Sequence, residues 1–289
     1  MTRNAGNKPL VEPALAEALS DLVAQASQAI LTVLGSGLAM RLKHDNSPVT
    51  NADHAADAIL LEGLARLLPG IPVVSEESVE PGLSAAQLAS TFVLVDPLDG
   101  TRELVAGRDE YTANVALIVE GLPVFGIVAA PAARVLWRGS AAGAEKLRIA
   151  VVDGIATAVD AQPISARRWP TANPIALVSR SHADARTAAL LDALAISNRD
   201  VCGSSVKFCR LAEGTADLYP RLSPISEWDI AAGHAILAAA GGTVVAADGA
   251  ALTYGHPGRS FLVPPFIALG DPERVRAVLS TAAAIVACA

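Results

Sequence analysis

The chain has 289 residues, enough for one large domain or two modest ones that share an interface. Apolar residues make up 52% and charged residues 18%, which supplies a core and excludes a disordered chain. The formal net charge of −7, with no stripe of Lys and Arg, argues against a nucleic-acid polymer as partner; a small anion would have to be met by local cations or by metal.

In chain order, the opening MTRNAGNKPLVEPALAEAL lacks the apolar stretch of a signal peptide. Residues 13 to 34 carry apolar positions at helical spacing, and a Gly-Ser-Gly break follows at 35 to 37. Residues 53 to 68, DHAADAILLEGLARLL, predict a second helix stopped by Pro69-Gly70. IPVVSEES is a short strand ending in Glu76 and Glu77, and FVLVDPLDG a longer one ending in Asp96 and Asp99. Residues 111 to 138 read as an antiparallel meander with turns near Gly121 and Pro131. Residues 141 to 173 have no firm period. A change of domain is expected there, dividing an N-terminal α+β half (1–160) from a C-terminal α/β half (161–289). The strand PIALVSRSH follows, then a helix over about 184 to 195 and a helix in SSVKFCRLAEG closed by Gly214. Next come the strand ADLYPR, the helix EWDIAAGHAILAAAGG, the strand FIALG and the last helix PERVRAVLSTAAAIV. The apolar C-terminus is too short to span a bilayer, so no integral membrane segment is expected. Strands and helices alternate without a uniform βαβ repeat, which predicts a layered α/β or α+β protein with mixed sheets. Cys202, Cys209 and Cys288 are scattered and odd in number; they suit neither a disulfide framework nor a zinc site, and fit a reducing compartment.

The acids gather at element ends: Glu76 and Glu77, Asp96 and Asp99, Glu227 and Asp229. Any single acid there is most simply a solvated turn or a helix cap. Asp96-Pro97-Leu98-Asp99-Gly100-Thr101 is harder to explain that way. Two carboxylates about 4 Å apart repel by about 4 kcal/mol at an effective dielectric near 20. Pro97 stiffens the turn, Gly100 permits close backbone approach, and Thr101 adds a hydroxyl. Hard oxygen ligands with no neighbouring histidine or thiolate point to Mg²⁺, with Mn²⁺ as a substitute, rather than zinc. Two such ions suit phosphoryl transfer. If a helix starts at Gly100-Thr101, its backbone N–H groups would hold the transferred phosphate.

These motifs resemble the lithium-sensitive, Mg²⁺-dependent phosphomonoesterases of the inositol monophosphatase superfamily, and within it the CysQ-type 3′(2′),5′-bisphosphate nucleotidase branch. The matching pieces are SPVTNADHAAD, VVSEES, VDPLDGTREL, YTANVALIVEG, VSRSH, GSSVKFCRLAEGTADLYPR and EWDIAAGHAILAAAGG, in family order from residue 47 to 242. Arg102 stands where many relatives carry lysine. The resemblance implies a five-layered αβαβα sandwich. It assigns Glu76, Asp96 and the Leu98 carbonyl to a first ion, and Asp96, Asp99 and Asp229 to a second. A third, weaker ion would share Glu76, with Glu77 behind it. Asp53 would hydrogen-bond Thr101, and the pair would orient and deprotonate the attacking water. Gly100 and Thr101 would contact the reacting phosphate. Ser204, Ser205, Lys207 and Arg221 would bind a second, 5′-phosphate, and His182 would line the nucleoside pocket. From spacing alone, Lys207 is equally a surface lysine on an amphipathic helix. His44, His54, His234 and His256 are expected to be structural, and Trp228 to pack beside the site. The implied activity is hydrolysis of 3′-phosphoadenosine 5′-phosphate to AMP and phosphate by metal-activated water, clearing a by-product of sulfate assimilation. An inositol monophosphatase, a fructose 1,6-bisphosphatase and a non-enzymatic binding protein on the same scaffold are the alternatives. The protein would be a monomer or homodimer, cytoplasmic or peripheral on the inner membrane's cytoplasmic face.

Overall fold

The computed structural model describes residues 11–43, 46–79, 88–180 and 184–286. His44, His182, Cys288 and the first ten residues lie outside these.

Proline in its first turn opens helix α1 (Pro13–Ser36), at a position where a missing N–H costs nothing. By length and hydropathy α1 could cross a bilayer. Its apolar stripe, however, is buried in the core through Leu19, Leu22, Val23, Ala26 and Ile30. Strands β1 (Met40–Leu42) and β2 (Pro48–Thr50) form a hairpin that leads into α2 (Asn51–Leu67). Thr50 and Asp53 close the start of α2 as a capping box, which satisfies N–H groups that the helix itself cannot.

The first sheet has seven strands in sequence order. They are β3 (Val73–Ser75), β4 (Thr91–Asp99), β5 (Thr112–Val119), β6 (Leu122–Ala130), β7 (Val135–Ser140), β8 (Gly143–Val152) and β9 (Ile155–Ile164). Helix α3 (Thr101–Val105) sits between β4 and β5. Only β3 and β4 run parallel. Most of the stretch 141–173, which shows no firm period in the sequence, is the β8–β9 hairpin. That hairpin turns at Asp153-Gly154 with φ of 49° and 83°, the left-handed pair that two-residue hairpins use. Residue 160 falls inside β9, and the chain leaves this sheet only after Ile164.

The second half contributes β10 (Ile175–Ser179), α4 (Ala185–Ala193), β11 (Asn198–Cys202), α5 (Val206–Ala212), β12 (Leu218–Arg221), β13 (Ile225–Ser226) and α6 (Glu227–Ala239). It ends with β14 (Thr243–Ala246), β15 (Leu262–Val263), β16 (Phe266–Leu269) and α7 (Val275–Val286). The second sheet is ordered β11-β10-β12-β16-β14 and is mixed. The expected αβαβα sandwich is what forms. One core joins α1 and α2 to the outer face of the first sheet. A second joins that sheet's inner face, α5, α6 and the second sheet. A third packs α4 and α7 on the far side.

Two details of packing position the site. Along β4, Val93 and Val95 face α1 and α2 while Phe92 and Leu94 face α6, so the period of two turns Asp96 toward the middle layer. Helix α6 lies almost backbone to backbone on the sheet, because a Cβ at Gly126 would stand 2.3 Å from the Ala232 carbonyl oxygen. In the same layer the rings of Phe208, Tyr219 and Phe266 interlock at centroid distances of 5.3, 5.8 and 5.5 Å.

His234 on α6 is partly buried with Nδ1 2.8 Å from the Tyr254 hydroxyl, and desolvation of the ring lowers its pKa from 6.5 to about 4. The folded protein therefore binds fewer protons here than the unfolded chain. The contribution to stability is complete above pH 6.5 and is lost as pH falls toward 4. Over that window the loss is roughly 3 kcal/mol. His234→Gln keeps a partner for Tyr254 but cannot titrate. From pH 7 to 4 the wild-type unfolding free energy should fall by roughly 3 kcal/mol relative to that of the variant; parallel profiles would refute the assignment.

Candidate active site

Between Asp96 and Asp99 the register of β4 slips: Asp96 pairs with Asn114 and Asp99 with Thr112, three steps on β4 against two on β5. Such a bulge re-aims side chains, and Pro97, which has no N–H to give, suits it. Asp96 is 1% exposed. Its Oδ1 accepts from Leu98 N at 3.0 Å, while its Oδ2 is buried and meets no donor among the described residues. Glu76 leaves the end of β3 alongside, its N–H donating to the Val95 carbonyl. Asp229 comes from the first turn of α6, where the helix dipole favours an anion. One carboxylate oxygen from each of Glu76, Asp96 and Asp229 lies within 4.8 Å of the others.

This arrangement is costly unless a cation neutralises it. Burial first, then Glu76, Asp99, Asp229 and Asp53, push the Asp96 carboxyl well up. Burial, then Asp99 and Glu76, push Asp229 well up too. Asp99 is raised by burial but pulled back by Lys207 and Ser205. It lies outside the group of three, its Oδ2 2.9 Å from the Ser205 hydroxyl. The orphaned Asp96 oxygen and the all-oxygen donor set fit a hard divalent cation.

Lys43 was not singled out from sequence. Its Nζ lies 2.7 Å from Glu76 Oε1 and 2.6 Å from Glu77 Oε1. Burial would lower its pKa, but the two carboxylates outweigh that and raise it. Glu77, raised by burial, is held by the same ammonium. The partners stand more than thirty residues from Lys43 in the chain, so no local pattern could reveal the pairing.

Thr101 begins α3 directly after Gly100, whose φ is 92°. A Cβ at Gly100 would also stand 2.8 Å from the Glu110 carbonyl oxygen, so only glycine fits there. The Thr101 hydroxyl lies 3.1 Å from Asp53 Oδ1 and 3.1 Å from the Leu98 carbonyl. The other oxygen of Asp53 accepts from Thr50 N at 2.8 Å and Thr50 Oγ1 at 2.6 Å. The capping box of α2 thus fixes Asp53 and leaves Oδ1 for Thr101.

All of this opens into a cleft of about 340 Å³, lined also by Arg102, Ser204, Lys207, Arg221, Trp228 and Leu262. Of the two readings of Lys207 from spacing, the surface one is excluded: the residue is 4% exposed. Its Nζ contacts the Ser204 carbonyl at 2.5 Å and the Cys202 carbonyl at 3.3 Å, and lies 5.1 Å from the Tyr219 ring centroid. Arg221 is 6% exposed and donates to Ser179 Oγ and to the Ser223 and Pro224 carbonyls. Neither cation has an ion pair with a carboxylate among the described residues. Ser204 Oγ is buried without a partner among the described residues. Ser205 Oγ is engaged by Asn114, Asp99 and Asp229. Trp228 lines the cleft and leans on Phe261 with 5.7 Å between ring centroids. Two further links escaped sequence reading. Asn114 lies beneath the acids. Glu110 takes both Arg180 Nε at 2.8 Å and Nη2 at 2.7 Å, together with the Gly203 N–H, tying the segment before β5 to the one before α5.

A family model, that of the inositol monophosphatase family, matches residues 13–277. The chain is similar to the 3′(2′),5′-bisphosphate nucleotidase CysQ of Escherichia coli: 42% identity over 247 residues, 85% of this chain and 95% of that one. It is similar to the protein of the same name from Salmonella typhimurium, with 42% identity over 252 residues, 86% and 97% of the two chains. Among solved structures, CysQ from Bacteroides thetaiotaomicron superposes with a TM-score of 0.73 at 33% identity, covering 89% of this chain and 97% of that one.

Proposed function

Since the chain belongs to the inositol monophosphatase family, we propose that it is a Mg²⁺-dependent 3′(2′),5′-bisphosphate nucleotidase that converts 3′-phosphoadenosine 5′-phosphate to AMP and phosphate. One observation carries the choice of substrate. Lys207 and Arg221 are buried cations with no carboxylate at ion-pair distance among the described residues, and they line the same cleft as the Glu76, Asp96 and Asp229 carboxylates. Buried charges are normally paired. Here the missing partner is an anion of the substrate, remote from the reacting phosphate.

Glu76, Asp96, the Leu98 carbonyl, Asp99 and Asp229 would hold two to three Mg²⁺ ions, or Mn²⁺ in their place. Bound there, the ions would supply the positive charge that activates water and stabilises the transferring phosphoryl group. The chain's own residues do the rest. Asp53 holds the Thr101 hydroxyl, and the pair takes a proton from the attacking water as the new P–O bond forms and the bond to the ribose 3′-oxygen breaks, that oxygen taking up a proton from solvent to become the 3′-hydroxyl of AMP. Lys207, Arg221 and Ser204 hold the 5′-phosphate and so fix the ribose. The reading extends to inhibition by lithium, which fits a small hard-oxygen site with half the charge. It extends also to clearance of a sulfate-assimilation by-product in a reducing cytoplasm, consistent with the free thiols of Cys202 and Cys209.

Lys207→Ala tests it. A charge-assisted contact is worth roughly 1.5–3 kcal/mol, so kcat/KM for 3′-phosphoadenosine 5′-phosphate should fall by about one to two powers of ten. With a nucleoside 3′-monophosphate the loss should be much smaller. Equal losses on both substrates would make Lys207 a support of the fold. Wild-type preference for inositol monophosphate would replace the nucleotidase reading with the sugar-phosphatase one.

A further inference from the structure

We propose that Ser205 is a positioning residue for the metal-binding acids rather than a contact to the substrate's second phosphate, and that Asn114 orients it; this rests on the Mg²⁺-dependent bisphosphatase reading above. Ser205 is 2% exposed and Asn114 1%. The Ser205 hydroxyl has three polar neighbours: Asn114 Nδ2 at 2.8 Å, Asp99 Oδ2 at 2.9 Å and the Asp229 carbonyl at 2.6 Å. A hydroxyl has one proton to give and lone pairs to accept with. The Asp229 carbonyl and the ionised Asp99 carboxylate can only accept from it, so the proton is committed between them. Asn114 must be the donor, because an amide turned the other way would leave three acceptors competing for one proton. The hydroxyl is therefore saturated, and nothing remains to donate to a phosphate.

The neighbouring residue is the opposite case. Ser204 Oγ is buried, has no partner among the described residues and belongs to the same cleft. Its backbone is held in the left-handed region at φ 47°, and its carbonyl takes the Lys207 ammonium. Of the two serines, Ser204 has the free donor beside a cation. Ser205 instead ties four elements together at one atom: the end of β4 through Asp99, β5 through Asn114, the start of α5, and the first turn of α6 through Asp229. It holds one oxygen of Asp99 and leaves the other for an ion. It also fixes the backbone of Asp229, whose carboxylate gathers with those of Glu76 and Asp96.

The experiment compares Ser205→Ala, Asn114→Ala and Ser204→Ala with the wild type in two measurements. The first is the Mg²⁺ concentration at half of the metal-induced thermal shift, without substrate. The second is the ratio of kcat/KM on 3′-phosphoadenosine 5′-phosphate to that on a nucleoside 3′-monophosphate. Ser205→Ala should raise the Mg²⁺ midpoint by about tenfold, as loss of a partner behind a metal ligand does, and keep the ratio. Asn114→Ala should raise the midpoint by a smaller factor, since the hydroxyl stays but loses its orientation. Ser204→Ala should lower the ratio and keep the midpoint. The proposal is overturned if Ser205→Ala lowers the ratio while the midpoint holds, since Ser205 would then touch the substrate. It is equally overturned if the alanine variants only lower the melting temperature with both readouts fixed. Asn114→Ala decides the matter should Ser205→Ala not fold. A wild-type protein with no Mg²⁺-dependent shift, or no preference for the bisphosphate, would instead fell the parent reading, and this inference with it.

Discussion

Asp96→Asn is expected to lower turnover to about a thousandth or less at saturating Mg²⁺, and to abolish the thermal stabilisation that Mg²⁺ gives. In the metal-free state it should do the reverse and raise the melting temperature. Both halves follow from one geometry. Asp96 is 1% exposed, its Oδ2 meets no donor among the described residues, and its neighbours include the carboxylates of Glu76 and Asp229. Its carboxyl is pushed well up by burial and by those charges. A group raised in this way contributes its stability at low pH and loses it as pH rises past the unfolded value, so at neutral pH the metal-free fold is under strain. An amide keeps the shape and the contact to Leu98 N, and removes the charge that the neighbours resist. It also removes the charge that a shared ion needs, and a neutral carbonyl is a much weaker ligand for Mg²⁺. Melting curves with and without Mg²⁺ should therefore cross over between wild type and variant. Near-wild-type turnover in the variant would remove Asp96 from the metal site.

What could be read from the sequence depended on how local each cause was. The helices α1 and α2 were legible because their apolar residues repeat at helical spacing and Pro13, Thr50 and Asp53 mark the starts. The acidic turn was legible because an apolar strand that ends in Asp-Pro-Leu-Asp-Gly-Thr has few other uses. The β8–β9 hairpin was missed, although Asp153-Gly154 between Val151-Val152 and Ile155 is a strong turn signal. Its strands are half exposed, with Val151, Val152 and Ile155 about half open to solvent, so the alternation that marks a buried face is faint. Lys43, Asn114 and the Glu110–Arg180 pair stayed hidden for another reason. Their partners are 33 to 91 residues away, and only the fold brings them together. Asn114 and Thr112 did leave a trace: they are polar residues at a spacing of two in an otherwise apolar strand, on the face that continues into Ala116 and Ile118. Lys207 could not be placed from spacing because α5 is short, and its burial is set by the ring cluster of Tyr219, Phe208 and Phe266.

Thr101→Ala should behave unlike Asp96→Asn: metal binding survives and turnover falls by about 10²–10⁴, the range for loss of a general acid–base group. The Thr101 hydroxyl sits between two acceptors, Asp53 Oδ1 and the Leu98 carbonyl, each at 3.1 Å. A hydroxyl alone is a poor base, but one bound to a carboxylate can pass a proton on as it takes one. Asp53 can serve because its other oxygen is pinned by Thr50 N and Oγ1, so Oδ1 stays aimed at Thr101. Asp53→Asn should therefore lose activity on a similar scale, whereas Thr101→Ser, which keeps the hydroxyl at the N-terminal residue of α3, should recover most of it. Removing the Thr101 side chain also frees the Leu98 carbonyl, which is expected to be a ligand itself, so Mg²⁺ affinity should hold or rise slightly. Calorimetry on Thr101→Ala separates the roles. An Mg²⁺ affinity within about threefold of wild type, alongside the loss of turnover, makes Thr101 the proton relay. A collapse of Mg²⁺ affinity in that variant would make Thr101 a ligand and end the idea of a Thr101–Asp53 relay.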